Sequence, residues 1–170
     1  IKGGVQSVQL REKEASFEEM CVLGRLLKKQ LAPLKIPLIV NDRVDVALEI
    51  GAEGVHLGQS DLNAGEARAL MGQNAIIGLS IETTAQLLEA QHMDVDYIAA
   101  SPVFSTDTKQ DCSPAWGLEG LRQICRISHH PVIAIGGINE TNVKSVLDCG
   151  AVGAAVISAI YTAPSPKTAA

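Results

Sequence analysis

Apolar residues in this chain come in short runs separated by polar loops, and the runs alternate between two periods. Residues 5–10, 37–40, 54–57, 76–79, 97–100, 132–135 and 154–157 are brief, largely apolar segments rich in Val and Ile that predict strands. Between them, 17–30, 44–50, 64–71, 84–92, 118–127 and 142–149 repeat their apolar residues at helical spacing, as Phe17, Met20, Cys21, Leu23 and Leu27 do in the first. Strand runs apolar on both faces suit a parallel sheet covered by helices. Two near copies, Ile50-Gly51-Ala52-Glu53-Gly54 and Cys149-Gly150-Ala151-Val152-Gly153, each place a helix-terminating glycine ahead of a strand.

So regular a βα alternation predicts either an open doubly wound sheet or a (β/α)8 TIM barrel. No GxGxxG follows the first strand, which lowers the dinucleotide-binding reading. The expectation is a single-domain α/β TIM barrel over residues 1–170 that lacks its first βα unit and its last helix. Barrels of this class run to ~250 residues, and this chain has 170. It opens on Ile1, and Gly3-Gly4 directly precedes a strand, so truncation at the N-terminus is expected. Loss of a strand would leave 5–10 and 154–157 as sheet edges, with a less stable chain that is inactive alone.

Polar clusters follow the predicted strands, the end at which barrel enzymes gather their chemistry. Gln9, Arg11 and Lys13 alternate at the end of the first strand, and period-2 geometry would put all three on one face. Two cations there suit an anion, phosphate or diphosphate, against the plainer reading of a solvated strand end paired with Glu12 or Glu14. Asn41-Asp42 follows the next strand and Asp61 the one after. Taken singly, each Asp reads as a helix N-cap; taken together beside cations, they suit Mg²⁺ held by few protein oxygens. His56 reads as a hydrogen-bonded packing residue rather than a catalyst. Ser80 closes the fourth strand, with Thr83 or Thr84 capping the next helix.

Residues 101–117 are long for a βα connection and carry Thr106, Thr108 and Lys109, two hydroxyls and a cation able to reach a phosphate. Gly136-Gly137 and Ile157-Ser158 follow the last two strands, where barrels hold phosphate on backbone N–H groups. Two anion sites are expected.

Composition narrows the class without changing the fold. Net charge −5 and 3% aromatic residues argue against nucleic-acid binding. Cys21, Cys112, Cys125 and Cys149 are widely spaced without a CxxC pair, which suits reduced thiols in a cytoplasmic protein. No apolar stretch reaches the ~20 residues of a membrane span.

The segments Val8-Gln9-Leu10-Arg11-Glu12-Lys13, Val40-Asn41-Asp42, Gly54-Val55-His56-Leu57-Gly58-Gln59-Ser60-Asp61-Leu62, Gly78-Leu79-Ser80, Thr106-Asp107-Thr108-Lys109 and Ile135-Gly136-Gly137-Ile138 together resemble the thiamine-phosphate synthase family over essentially the whole chain. The resemblance implies a TIM barrel that joins a hydroxymethylpyrimidine diphosphate to a thiazole phosphate, with Mg²⁺ as cofactor. It implies Asp42 and Asp61 as Mg²⁺ ligands, and Arg11, Lys13, Asn41 and Lys109 as diphosphate contacts. Gln9 would read the pyrimidine. Ser80, Thr106 and Thr108 would supply hydroxyls at the reacting centre and the thiazole phosphate, and Gly137, Ile157 and Ser158 would cradle that phosphate. Lys109, Ser80, Arg11 and Lys13 would be the catalytic set.

Three departures from the family pattern stand out: Ser105 where Pro is usual, Ser101 where Gly is usual, and Glu82 where many relatives have His. A thiazole tautomerase is an alternative, but the related tautomerases resemble one another in a His where Glu82 stands here, and isomerising a thiazole needs no diphosphate site. A non-catalytic phosphate-binding barrel fragment is the remaining alternative.

Overall fold

A computed structural model describes residues 3–105 and 114–170. The chain groups into two compact units, Val5–Gly78 and Leu79–Ala170. Among the described residues there are seven strands alternating with helices, and every strand pair with a defined register is parallel. This is an α/β fold of the kind the alternating periods predict.

In the Val5–Gly78 unit the order is β1 (Val8–Leu10), α1 (Phe17–Leu31), a 3₁₀ turn (Ala32–Leu34), β2 (Leu38–Asn41), α2 (Val44–Ile50), β3 (Gly54–Leu57) and α3 (Ala64–Met71), followed by the first half of β4 (Ile76–Ile81). Ser16 and Glu19 close a reciprocal capping box that starts α1, with Glu18 and Glu19 in its first turn and Lys28 and Lys29 in its last. The buried face of α1, Met20, Cys21, Gly24 and Leu31, belongs to the same core as Leu38, Ile39, Val40, Val55 and Leu57. All four residues of β3 are buried, as a covered parallel strand requires.

The first strand is shorter than its apolar run. Val8 donates its N–H to the Pro37 carbonyl at 3.1 Å, and the ladder starts at Val8 opposite Leu38. Pro37 has no N–H to extend it backward, and the strand stops at Leu10. Arg11 and Lys13 therefore lie beyond the strand in the β1–α1 loop, so strand alternation does not place them on one face with Gln9.

The Leu79–Ala170 unit continues with the second half of β4, α4 (Thr84–Ala90), β5 (Tyr97–Ala100), α5 (Gly117–Ile127), β6 (Val132–Ile135), α6 (Val143–Leu147), β7 (Gly153–Ala155), α7 (Ser158–Tyr161) and α8 (Pro166–Ala169). Thr83, not Thr84, caps α4, forming a capping box with Gln86. β4 runs two residues past its predicted end, which puts Ser80 inside the strand. β7 ends at Ala155, short of the predicted Ile157, because Ile157 (φ −121°, ψ −77°) turns the chain into α7. α6 ends at Leu147 with Asp148 as its C-cap, so Gly150 lies past the cap; Gly51, by contrast, caps α2 in the left-handed conformation.

Candidate active site

The ends of β2 and β3 lie side by side because their register pairs Asn41 with His56. One residue further, the Asp42 N–H donates to the His56 carbonyl at 2.8 Å, and the Arg43 N–H donates to the Asn41 carbonyl at 2.7 Å. This tight reversal holds Asp42 at φ 62°, one of two non-glycine residues with positive φ among those described. Such a conformation costs on the order of 1 kcal/mol or more and persists where surrounding bonds over-determine it. Asp42 is not a helix cap: Arg43 holds that position at α2, with no side-chain capping bond.

After β3 the chain makes a second tight turn. Asp61 accepts the Gly58 N–H on Oδ2 at 2.6 Å, and its own N–H points back to the Gly58 carbonyl at 3.4 Å. Asp61 is not a cap either, since Asn63 caps α3 by accepting the Gly65 N–H at 2.8 Å. The plainer reading of both aspartates therefore falls away.

These two turns bring the carboxyls of Asp42 and Asp61 into a shared hydrogen bond. Burial first, then the hydrogen bond and charge of Asp61, push Asp42 up to about 6, while the cations Arg11 and Lys13 pull it down. Two facing carboxyls flanked by two cations form a polarised cluster. A cavity of about 350 Å³ opens onto it, lined by Glu12, Lys13, Ala15, Asn41, Asp42, Arg43, Ser60 and Asp61. Gln9 is exposed on β1 and Arg11 is half-buried just past it; neither lines the cavity.

Arg43 and Ser60 were not among the residues expected from sequence. Arg43 lines the cavity with its guanidinium forked onto Asp45, Nε to Oδ1 at 2.8 Å and Nη2 to Oδ2 at 2.6 Å, and lying over the Phe17 ring at 5.8 Å. Its pairing with Asp45 crosses a loop-to-helix boundary, where no sequence periodicity applies. Ser60 was signalled only by standing next to Asp61. His56 is buried, as a packing residue should be, and its carbonyl accepts the Asp42 N–H.

The second unit presents backbone. Phe104 donates its N–H to the Gly136 carbonyl at 3.1 Å and Val103 to Ile135 at 2.8 Å, which carries the β5–β6 pairing past the strand ends. Gly136 (φ 101°) and Gly137 (φ 63°) admit this approach. A Cβ on Gly136 would stand 2.6 Å from the Pro102 Cβ, and one on Gly137 would stand 2.7 Å from the Ser105 carbonyl oxygen. Asn142 donates Nδ2 to the Gly137 carbonyl at 3.0 Å. Ile157 is 55% exposed, and its carbonyl accepts from Ile160 and Tyr161 as α7 begins at Ser158. Ser80 is half-buried within β4. Thr106, Thr108 and Lys109 lie outside the described residues.

Among the described residues, no group of three or more His, Cys, Asp or Glu side chains is placed to hold a metal, and no helix is long and apolar enough to cross a membrane. The Asp42–Asp61 pair still fits Mg²⁺. Two carboxyls held this close repel when both are ionised, and Mg²⁺ is ordinarily bound by one or two carboxylates together with substrate phosphates rather than by an all-protein cage.

A family model described as thiamine monophosphate synthase matches residues 1–160. The thiamine-phosphate synthase of Chlamydia abortus is 46% identical over 168 residues, covering 99% of this chain and 79% of its own length. That of Vibrio parahaemolyticus is 47% identical over 170 residues, 100% of this chain and 83% of its own. Among solved structures, the thiamine phosphate pyrophosphorylase of Pyrococcus furiosus superposes with a TM-score of 0.90 at 40% identity, covering 99% of this chain and 80% of that one. With seven parallel strands in chain order and carboxyl and backbone sites after them, the chain belongs to the thiamine monophosphate synthase family.

Proposed function

We propose that this protein joins a hydroxymethyl-aminopyrimidine diphosphate to a thiazole phosphate, giving thiamine phosphate and diphosphate, and that it does so in a TIM-barrel setting with Mg²⁺. The observation that carries the reading is the Asp42–Asp61 pair, which lines a cavity together with Lys13 while Arg11 and Lys13 act electrostatically on Asp42. A thiazole tautomerase has no use for that constellation.

Asp42 and Asp61 would hold the ion, which when bound supplies positive charge against a diphosphate. Lys13 lines the same cavity, and Arg11 acts electrostatically on the same carboxyl, so both are placed to offset negative charge that builds on a departing diphosphate. Asn41 lines the cavity as a neutral hydrogen-bonding partner, and Lys109 is proposed to add a further cation. Gln9 is proposed to orient the pyrimidine. Ionisation leaves a carbocation that the ring amine of the pyrimidine stabilises, and the thiazole nitrogen is itself the nucleophile. The protein needs to hold the two substrates together and neutralise charge, and no general base is required.

On the thiazole side, Gly137, Ile157 and Ser158 are proposed to bind phosphate through the backbone, with Ser80, Thr106 and Thr108 contributing hydroxyls. The backbone devices at Gly136-Gly137 and at the start of α7 support this assignment. A reducing cytoplasm is the proposed compartment, supported by the dispersed cysteines.

The test is direct synthesis: purified protein, both substrates and Mg²⁺, with thiamine phosphate and diphosphate measured together. Equimolar appearance of the two products is expected. Folded protein that isomerises a thiazole phosphate but releases no diphosphate would overturn the reading.

A further inference from the structure

We infer that Gly58 is a positioning residue for the cation site: the missing side chain at this position is what lets the Asp61 carboxylate fold back onto the backbone and meet Asp42. The inference rests on the proposed function and deepens its metal-binding half.

Gly58 is the first residue after β3, and its N–H donates to Asp61 Oδ2 at 2.6 Å. A Cβ placed on Gly58 would stand 2.9 Å from that same oxygen and 3.9 Å from the Asp61 Cγ, and it would meet no other described atom within 4 Å outside its chain neighbours. The space a side chain would need is therefore taken by the carboxylate alone. Gly58 is not among the glycines with positive φ, so alanine fits its backbone without strain. This separates it from Gly136 and Gly137, where a Cβ would press on neighbouring backbone and the conformation itself disfavours a side chain.

The consequence is specific. A methyl at Gly58 displaces the end of one short, half-buried side chain and leaves the core untouched. The displaced carboxylate loses its backbone donor and its partnership with Asp42. The apolar core keeps its contacts, and the freedom the unfolded chain loses when glycine becomes alanine offsets the lost hydrogen bond. Groups that orient a metal ligand typically cost 10–100-fold in metal affinity when altered, an effect out of proportion to their contribution to folding.

The experiment uses the whole chain and Mn²⁺ as a probe, with binding followed by loss of the free-ion electron paramagnetic resonance signal and folding followed by thermal unfolding without metal. Gly58→Ala should weaken Mn²⁺ binding by roughly 10–100-fold, leave the metal-free melting temperature little changed, and leave KM for the thiazole phosphate unchanged. Adding Gly58→Ala to Asp61→Ala should cost no further affinity, since the atom it displaces is gone. Binding equal to wild type in Gly58→Ala would overturn the inference. So would a metal-free melting temperature lowered by several degrees, or additive losses in the double variant. Wild-type protein that binds Mn²⁺ no better than Asp61→Ala would overturn the metal reading itself, and the inference with it.

Discussion

The two units carry their candidate sites in different materials. In Val5–Gly78 the proposed chemistry belongs to charged side chains on two tight turns, with Asp42 and Asp61 sharing a hydrogen bond while Arg11 and Lys13 act on the Asp42 carboxyl. In Leu79–Ala170 it belongs to backbone: Gly136 and Gly137 at positive φ, and the chain reversal that starts α7 at Ser158. A side-chain site can lose its function while the fold stays intact, because charges at a cavity mouth bury little apolar surface. A backbone site cannot be separated in this way. The same glycines that would shape a phosphate cradle also admit the segment Pro102 to Ser105 against β6.

The sharpest way to break this contrast is at the carboxylates. Asp42→Asn and Asp61→Asn keep shape and hydrogen bonding, and asparagine tolerates the left-handed backbone of Asp42. Turnover should fall by roughly 10³-fold, with melting temperature unchanged or raised as the carboxyl repulsion is relieved. A large drop in melting temperature would mean that the first unit, too, ties function to fold.

Single cations come next. Lys13→Ala and Lys109→Ala should each lower kcat by about 10²-fold with little change in unfolding. Unchanged turnover in either would remove that residue from the charge-neutralising set.

Gly137→Ala tests the second unit. A Cβ 2.7 Å from the Ser105 carbonyl, on a residue at φ 63°, should destabilise the protein by about 1–3 kcal/mol and raise KM for the thiazole phosphate. Both changes should appear together in denaturant melts and steady-state kinetics. A raised KM with undiminished stability would contradict the backbone account.

The smallest effect is the pH dependence of the metal-free protein. Asp42 sits at about 6 when folded against an ordinary 3.8, so the folded state binds its proton more tightly than the unfolded state does. Its contribution therefore favours folding below 3.8, declines as pH rises, and is lost above about 6. Added Mg²⁺ should raise the melting temperature more above about 6 than below it, because protons compete for the same oxygens. Melting curves with and without Mg²⁺ on either side of that value check both statements. A Mg²⁺ effect larger at the acid end would refute the shared-carboxyl site.

Local pattern and tertiary structure divided the outcome along a physical line. Helical and strand periods announced α2, β3, α3, β5 and β6 to the residue, because each depends on a local repeat bounded by glycine, proline or a cap. Motif order also pointed to Asp42, Asp61, Arg11 and Lys13 as one cluster. What local pattern could not supply was how they meet. Strand alternation was the wrong geometry for Arg11 and Lys13, since β1 ends at Leu10 and both lie in the loop beyond it. The extents of β4 and β7 were likewise set by neighbouring chain and by the turn at Ile157, not by their own apolar runs. The sequence by itself determined the alternation of elements, the parallel α/β class and the residues that carry charge. Only the tertiary structure decided that the β2–β3 register brings Asp42 onto the His56 carbonyl, that a bare Gly58 receives Asp61, and that Arg43 is drawn to the cavity between Asp45 and Phe17. Those are contacts between residues distant in sequence or across a turn, and no period along one segment encodes them.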